Sequence, residues 1–130
     1  MDIKIYHCEK CGNTVMLFGE PKGALSCCGQ PMNLLQANTS EASAEKHVPV
    51  ITVKGSRVTV QVGSELHPMT PEHYIQWVAL VQSQKIQIVE LDPSCAPMAT
   101  FILDTLEDFA VYEYCNLHGL WSAEGALSFE

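Results

Sequence analysis

The N-terminal cysteines constrain the fold of this chain more than any other feature. Four of the six cysteines fall within the first 28 residues, as Cys8-x-x-Cys11 and the adjacent pair Cys27-Cys28. A segment of fewer than about 40 residues buries too little apolar surface to fold alone, so residues 1–36 need a metal or disulfides. The chain shows no basic region followed by a long apolar one at its start. We therefore expect a cytoplasmic protein whose cysteines bind metal rather than form disulfides.

Cys8, Cys11, Cys27 and Cys28 are the predicted ligands of one metal ion. Glycine directly after the Cys-x-x-Cys pair lets backbone N–H groups point at the thiolate sulfurs, which stabilises their charge. A zinc ribbon normally repeats Cys-x-x-Cys, whereas adjacent cysteines must splay apart and distort the tetrahedron. Because distortion can tune a redox iron, we favour Fe(Cys)4 over zinc. His7 is expected to be exposed rather than a fifth ligand.

The rest of the chain predicts a linker and then a β-rich domain. Residues 37–46 are small, polar and unpatterned, so we expect the domain boundary within them. Residues 50–54 and 57–62 predict two strands joined by Gly55-Ser56, a hairpin loop of the glycine-first kind. Further predicted strands cover residues 74–82, 85–91, 99–103 and 110–114. Short strands without a helical pattern indicate an antiparallel β-sandwich over residues 47–130.

The charge of the chain argues against two classes of partner. Fifteen acidic residues oppose seven basic ones, which gives a net charge of −8. Nucleic acid and anionic membranes repel such a chain, so neither is expected as a partner. No apolar run approaches the length that spans a bilayer.

A second set of metal-binding side chains is spread along the predicted sandwich. Cys115 and His118 lie three residues apart, and Asn116 and Gly119 suit a tight turn because both tolerate left-handed backbone. The ordinary alternative is a buried core cysteine beside a loop histidine. Three further histidines stand at predicted strand edges near prolines, which hold a loop rigidly enough for a ligand site: His47, His67 and His73.

Four imidazoles and one thiolate restrict the choice of metal. They exceed the four ligands that zinc usually takes. A trigonal blue-copper site uses two histidines, one cysteine and a weak axial ligand. Five nitrogen and sulfur donors leave one octahedral position free, which suits a ferrous ion that binds a small molecule. Affinity alone does not exclude copper or zinc, because both outrank iron in the usual stability order.

The combined motifs resemble the desulfoferrodoxins, which are two-iron superoxide reductases. The resemblance covers essentially the whole chain, and it rests on these segments: Cys8-x-x-Cys11 with Cys27-Cys28, Glu45-Lys46-His47-Val48-Pro49, His67-Pro68-Met69 and Cys115-Asn116-x-His118-Gly119. It implies a desulforedoxin-like N-terminal iron domain followed by an immunoglobulin-like β-sandwich. Cys95 has no counterpart in the motif, and we interpret it as a free thiol.

The resemblance also implies roles for individual residues. Cys8, Cys11, Cys27 and Cys28 would bind the first iron. His47, His67, His73 and His118 would surround the second iron in one plane, with Cys115 as the axial ligand. Glu45 matches a carboxylate that can occupy the sixth position of the oxidised iron. Lys46 matches a residue that attracts superoxide and assists protonation.

The implied activity is the one-electron reduction of superoxide to hydrogen peroxide, with a rubredoxin-like donor that restores Fe(II). Family members are commonly homodimers. A thiolate opposite the open position donates electron density to ferrous iron and favours the release of peroxide.

A rival hypothesis is a non-catalytic metal-binding or electron-carrying protein, in which a zinc ribbon is joined to a β-sandwich.

Overall fold

The computed structural model describes residues 2–39, 42 and 44–125, and these residues form twelve β-strands and one short helix. The chain divides into two compact units, Asp2–Gln36 and the residues from 37 onward. Within the described residues, no helix is both long and apolar enough to cross a bilayer.

The first unit is a small β structure with little core. Its strands are β1 (Lys4–His7), β2 (Thr14–Leu17), β3 (Ser26–Cys27), β4 (Gln30–Pro31) and β5 (Asn33–Leu34). One antiparallel sheet has the order β2-β1-β5, and β3 pairs with β4. Among the described residues of this unit, only Ile5 and Cys8 are buried apolar side chains. Such a core is too small to stabilise the unit, so a bound metal must contribute to its folding.

The second unit is an antiparallel β-sandwich preceded by a short helix. It contains α1 (Ala44–His47), β6 (Pro49–Lys54), β7 (Arg57–Val62), β8 (Ile75–Val81), β9 (Ile86–Glu90), β10 (Met98–Ile102), β11 (Phe109–Cys115) and β12 (Gly119–Gly125). One sheet has the order β10-β7-β6 and the other the order β12-β11-β8-β9. The predicted fold class, mostly β with a small metal-binding domain before a sandwich, is confirmed.

Side chains from both sheets form one hydrophobic core between them. On β7, Val58, Val60 and Val62 are fully buried, while the alternating residues face the other way, as the period of two predicts. These valines pack in one cluster with Leu80 of β8 and Val111 of β11. The glycine-first hairpin is also confirmed, since Lys54 pairs with Arg57 and Gly55 has a φ of 61°. The core therefore packs β7 of one sheet against β11 of the other.

Several elements differ from the sequence prediction. Strand β12 was missed because residues 119–125 contain only two large apolar side chains and glycine at both ends. Seven residues of β11 pair with it, and this ladder holds the segment in a strand. Residues 37–46 were expected to form a linker. Within this range, the side chain of Asn38 bonds to the backbone of Ser122, and the last residues belong to α1. The described residues at both ends of that range thus belong structurally to the second unit.

Candidate metal centres

The four N-terminal cysteines converge in the first unit. Their sulfurs all lie within 4.8 Å of one another. The Sγ atoms of Cys11 and Cys27 are 3.5 Å apart, and those of Cys27 and Cys28 are 3.8 Å apart. Sulfurs bound at about 2.3 Å around a tetrahedral metal are separated by about 3.8 Å. The spacing therefore fits a single tetrahedral metal ion.

A tight turn explains how adjacent cysteines reach one metal. Cys28 and Gly29 are the central residues of the β3–β4 hairpin, with φ angles of 55° and 76°. Two left-handed residues in succession are characteristic of a type I′ turn. Cys27 lies on the strand and Cys28 on the turn, so the two Cβ atoms leave the backbone in different directions. The predicted splaying of this pair is achieved by the left-handed conformation of Cys28.

The surroundings shift the pKa values of the Cys8 and Cys28 thiols in opposite directions. Backbone N–H groups of Cys11 and Lys10 stabilise the Cys8 thiolate and lower the pKa of Cys8 to about 7, against burial. Hydrogen bonds among the crowded sulfurs raise the pKa of Cys28 to about 12. Four neighbouring thiolates cannot all be charged without a positive ion between them, whereas a bound metal deprotonates its thiols.

The second unit brings together His47, His67, His73, Cys115 and His118, whose ligand atoms all lie within 4.8 Å of one another. They come from separate elements. His47 ends α1, His67 and His73 lie between β7 and β8, and Cys115 ends β11. His118 lies in the turn before β12, where Gly119 has a φ of 84°. All five side chains predicted for this group are thus collected at one point.

The four imidazoles form a closed ring. Neighbouring ring centroids are 4.7 Å apart for His47 and His67, 4.6 Å for His67 and His73, 5.0 Å for His73 and His118, and 4.9 Å for His118 and His47. Each ring meets the next edge-on, at 74° to 86°. Such an arrangement points one nitrogen of every ring toward a common centre.

The nitrogen atoms at this centre have the spacing of metal ligands. The Nε2 atom of His47 is 3.1 Å from Nε2 of His67 and 3.2 Å from Nδ1 of His118. Nitrogens bound at about 2.1 Å and at right angles around a metal are about 3.0 Å apart. Nε2 of His73 is buried and has no hydrogen-bond partner among the residues that the structure describes. A metal at the centre would satisfy this orphaned atom.

The surroundings shift the pKa values of two of the donors, His67 and Cys115. Nδ1 of His67 donates to the carbonyl of Pro68 at 2.7 Å, which leaves Nε2 of His67 free to bind metal. Burial lowers the pKa of His67 to about 4, although the bond to Pro68 opposes the shift. Burial raises the pKa of the Cys115 thiol, while the N–H groups of Leu117 and His118 lower it. The His67 imidazole is thus neutral near neutral pH. The N–H groups of Leu117 and His118 are positioned to stabilise a thiolate at Cys115.

Glu45 and Lys46 lie beside this group on α1. Both residues are exposed, and His47 directly after them is buried. The pKa of His73 is lowered by burial and, to a lesser degree, by positive charge at His118 and Lys46. The Lys46 ammonium is therefore close enough for its charge to act on the ring of His73. It makes no ion pair with any other residue that the structure describes.

Sequence reasoning missed three residues that border this group. Trp121 stacks on His47 with centroids 5.0 Å apart, and its Nε1 donates to the carbonyl of His118 at 3.1 Å. Glu113 is fully buried two residues before Cys115, and burial raises its pKa well above the usual range. Gly63 lies against the main chain of Lys46. Strand alternation predicts that the side chain at position 113 faces the core. It does not predict that the carboxyl group of a glutamate is buried there.

The tight turn predicted around Asn116 and Gly119 is present at residues 116–118, and Gly119 is left-handed there, but the backbone of Asn116 is not. Among the described residues, only Cys28 and Asn38 have a positive φ without being glycine. Asn116 instead uses its side-chain amide, which bonds to the backbone on both sides of His73.

His7 is half-buried and contacts Thr14, and it is not part of the four-cysteine group. Cys95 is a free thiol 3.7 Å from Asp92.

Comparison with protein families gives matches to both units. The family model described as Desulfoferrodoxin matches residues 39–124. The model described as Desulfoferrodoxin, N-terminal domain, matches residues 2–35.

Individual relatives and solved structures agree with these matches. A desulfoferrodoxin from Syntrophotalea carbinolica is 49% identical over 123 residues, which cover 95% of this chain and 97% of the relative. A superoxide reductase from Thermococcus kodakarensis is 38% identical and covers 64% of this chain and 88% of its own. The crystal structure of a superoxide reductase from Treponema pallidum superimposes with a TM-score of 0.75 at 36% identity, over 95% of this chain and 99% of that one.

Proposed function

Because this chain belongs to the desulfoferrodoxin family, we propose that it is a superoxide reductase. In this reaction superoxide takes up one electron from the protein and two protons from water, and the product is hydrogen peroxide. The observation that carries the proposal is the convergence of four imidazoles and one thiolate at one centre. Solved superoxide reductases with the same fold support it.

The cofactors are two mononuclear iron ions, as in the two-iron members of the family. We assign the first iron to Cys8, Cys11, Cys27 and Cys28. The second is assigned to His47, His67, His73, His118 and Cys115. When bound, the second iron supplies the electron by cycling between Fe(II) and Fe(III). The five donors would hold the iron and leave room on it for a small ligand, and this requirement separates the proposal from a purely structural metal site.

The chain prepares Cys115 to act as a charged ligand. Its sulfur is fully buried, and burial by itself favours the neutral thiol. The N–H groups of Leu117 and His118 oppose part of this preference because they stabilise negative charge on the sulfur. Trp121 holds the same turn through its bond to the His118 carbonyl. A bound metal would complete the deprotonation of the thiol, and the thiolate would then be a strong electron donor beside four imidazoles.

We propose that Lys46 attracts superoxide and assists its protonation. From residue 47 onward the chain has ten acidic residues and three basic ones, so the sandwich as a whole repels an anion. Lys46 is exposed next to the proposed ligand His47, and its charge acts on His73. A local positive charge increases the rate at which an anion reaches the site. Glu45, on the same helical turn, is proposed as a carboxylate that would bind the second iron in its oxidised form.

Further parts of the proposal concern the cellular context. A rubredoxin-like protein is the proposed electron donor, since each turnover consumes one electron that the chain must regain. The protein is proposed to be a cytoplasmic homodimer. Its acidic surface makes nucleic acid and anionic membranes poor partners.

Stoichiometry and colour test the function together. We expect the purified protein to show two ferric–thiolate chromophores. With a chemical reductant present, it should yield one hydrogen peroxide for each superoxide consumed. A dismutase would yield half that amount and release oxygen. A colourless protein with stoichiometric zinc would instead favour the metal-binding rival without catalytic activity.

A further inference from the structure

His73 differs from the other histidines of the second group in how its ring is held. The ring of His67 is anchored by the Pro68 carbonyl, and the ring of His47 stacks on Trp121. Nδ1 of His118 is within contact distance of both His47 and Cys115. Among the residues that the structure describes, no hydrogen bond reaches either nitrogen of the His73 ring, and its Nε2 is buried. The position of this imidazole therefore depends on its backbone.

That backbone belongs to a tight turn between β7 and β8. The N–H of Thr70 donates to the His73 carbonyl at 3.0 Å, and the N–H of His73 donates to the Thr70 carbonyl at 3.1 Å. These bonds shape the turn internally, but they do not attach it to the rest of the site. Loops hold a metal ligand less well than strands unless neighbouring groups fix them.

Asn116 makes this attachment with three hydrogen bonds. Its Oδ1 accepts from the N–H of Tyr74 at 2.9 Å, and its Nδ2 donates to the carbonyl of Glu72 at 3.0 Å. Its own backbone N–H donates to the Tyr74 carbonyl at 3.3 Å. The two residues that flank His73 are thus both bound to a residue that lies between Cys115 and His118.

The strand pairing explains why a side chain is needed at this point. The ladder between β8 and β11 shifts register after Tyr114, and Cys115 pairs with Ile75 at its end. Beyond that pair the backbone contributes one hydrogen bond, from the N–H of Asn116 to the Tyr74 carbonyl, and the Asn116 side chain supplies the other two. The amide of Asn116 carries one acceptor and two donors, so it can replace both partners of a backbone pair. An aspartate carboxylate accepts but cannot donate.

We propose that Asn116 is a positioning residue that holds His73 at the metal centre relative to Cys115 and His118. This inference rests on the ligand assignment made under the proposed function. It gives the asparagine of the Cys115–His118 motif a role of its own, distinct from turn formation. Residues that orient a metal ligand typically contribute about 10- to 100-fold in metal affinity.

The test compares Asn116→Ala and Asn116→Asp with Asn38→Ala. Asn38 is a matched control because its amide also bonds one backbone N–H and one carbonyl, those of Ser122, and neither belongs to a proposed ligand. Competition with a chelator measures the affinity for the second iron, with the first iron of the same molecule as the internal reference. Amide hydrogen exchange at Tyr74 reports directly on the bond to Oδ1. The sulfur-to-iron absorption band reports on the geometry around Cys115.

We expect both Asn116 variants to lower the affinity for the second iron by about 10-fold or more. The first iron should remain unaffected, and the sulfur-to-iron band should shift. Exchange at Tyr74 should accelerate in Asn116→Ala and stay slow in Asn116→Asp, which keeps the acceptor. Asn38→Ala should match wild type in iron affinity and band position. If Asn116→Ala does not fold, the aspartate variant decides the question.

Four results would overturn the inference. One is an Asn116→Ala protein in which amide exchange at Tyr74 is accelerated while the affinity for the second iron and the sulfur-to-iron band remain those of wild type. Another is an equal loss of the second iron in Asn38→Ala, which would indicate general destabilisation. The third is a wild-type protein without a sulfur-to-iron band, which would overturn the ligand assignment as well. A wild-type band that stays unchanged in both Asn116 variants would refute this inference alone.

Discussion

Gly63 lies directly against the main chain of Lys46. A β carbon at position 63 would be 2.6 Å from the carbonyl oxygen of Lys46 and 2.5 Å from that of Glu65. Around this contact, the N–H of Gly63 donates to the Val48 carbonyl, and the N–H of Glu65 donates to the Glu45 carbonyl. The end of β7 therefore supports the helical turn that carries Glu45, Lys46 and the proposed ligand His47.

Replacing Gly63 with alanine is expected to displace this turn. Overpacking costs about 1–3 kcal/mol, and the φ of 81° adds about 1–2 kcal/mol for a residue with a side chain. Denaturant unfolding should show a loss in the free energy of unfolding equal to the sum of these two costs. The absorption band of the second iron should weaken. Gly55→Ala is the control, because Gly55 has a φ of 61° but no atom within 4 Å of the added carbon. Equal losses in both variants would show that the contact with Lys46 is unimportant.

Lys46→Ala should slow the reaction with superoxide and leave both irons and their spectra intact. Charges several ångströms apart near a protein surface interact by at most a few kcal/mol, and salt screens them within about 8–10 Å. We expect the association rate to fall by about tenfold. Pulse radiolysis across ionic strengths measures it, and added salt should slow wild type more than the variant. Lys54→Ala, which removes an exposed lysine from β6, is the charge-matched control; identical salt slopes in wild type and Lys46→Ala would contradict a steering role.

Cys115→Ser should remove the sulfur-to-iron charge-transfer band of the second site and suppress turnover, even where iron remains bound. The hydroxyl is a weaker electron donor than the thiolate and is not ionised at neutral pH. Absorption spectra and peroxide yields provide the measurement. Cys95→Ser serves as the control, because Cys95 is outside both cysteine-containing groups. A Cys115→Ser protein that retained both band and activity would exclude Cys115 as a ligand of the second iron.

Cys11→Ser should eliminate the first iron and unfold the first unit without affecting the second iron. Within residues 2–36 only Ile5 and Cys8 are buried apolar side chains, whereas the sandwich has a core cluster drawn from both sheets. A unit with so little core depends on its metal. Amide exchange should become fast across residues 2–36 and stay slow in β7, β8 and β11. Loss of the second-site band in this variant would show that the two units are not separable.

Much of this architecture is determined locally and can be predicted from the sequence. Alternating valines on β7, the glycine-first loop before it and the spacing of Cys8 and Cys11 depend on a few neighbouring residues each. The motifs also predicted which histidines and cysteines would act together. For these features the physical cause lies within one strand or one turn, so a short segment contains it entirely.

The sequence alone thus determined the donor types, their division into two groups and the two-sheet pattern, because thiolates, imidazoles and strand periodicity are properties of residues and their near neighbours. The tertiary structure decided what depends on contacts between distant segments. It placed Gly63 against Lys46, paired β12 with β11, stacked Trp121 on His47 and bound Asn116 to both neighbours of His73. Each contact joins residues that chain connectivity leaves independent, and packing of the two sheets brings them within reach.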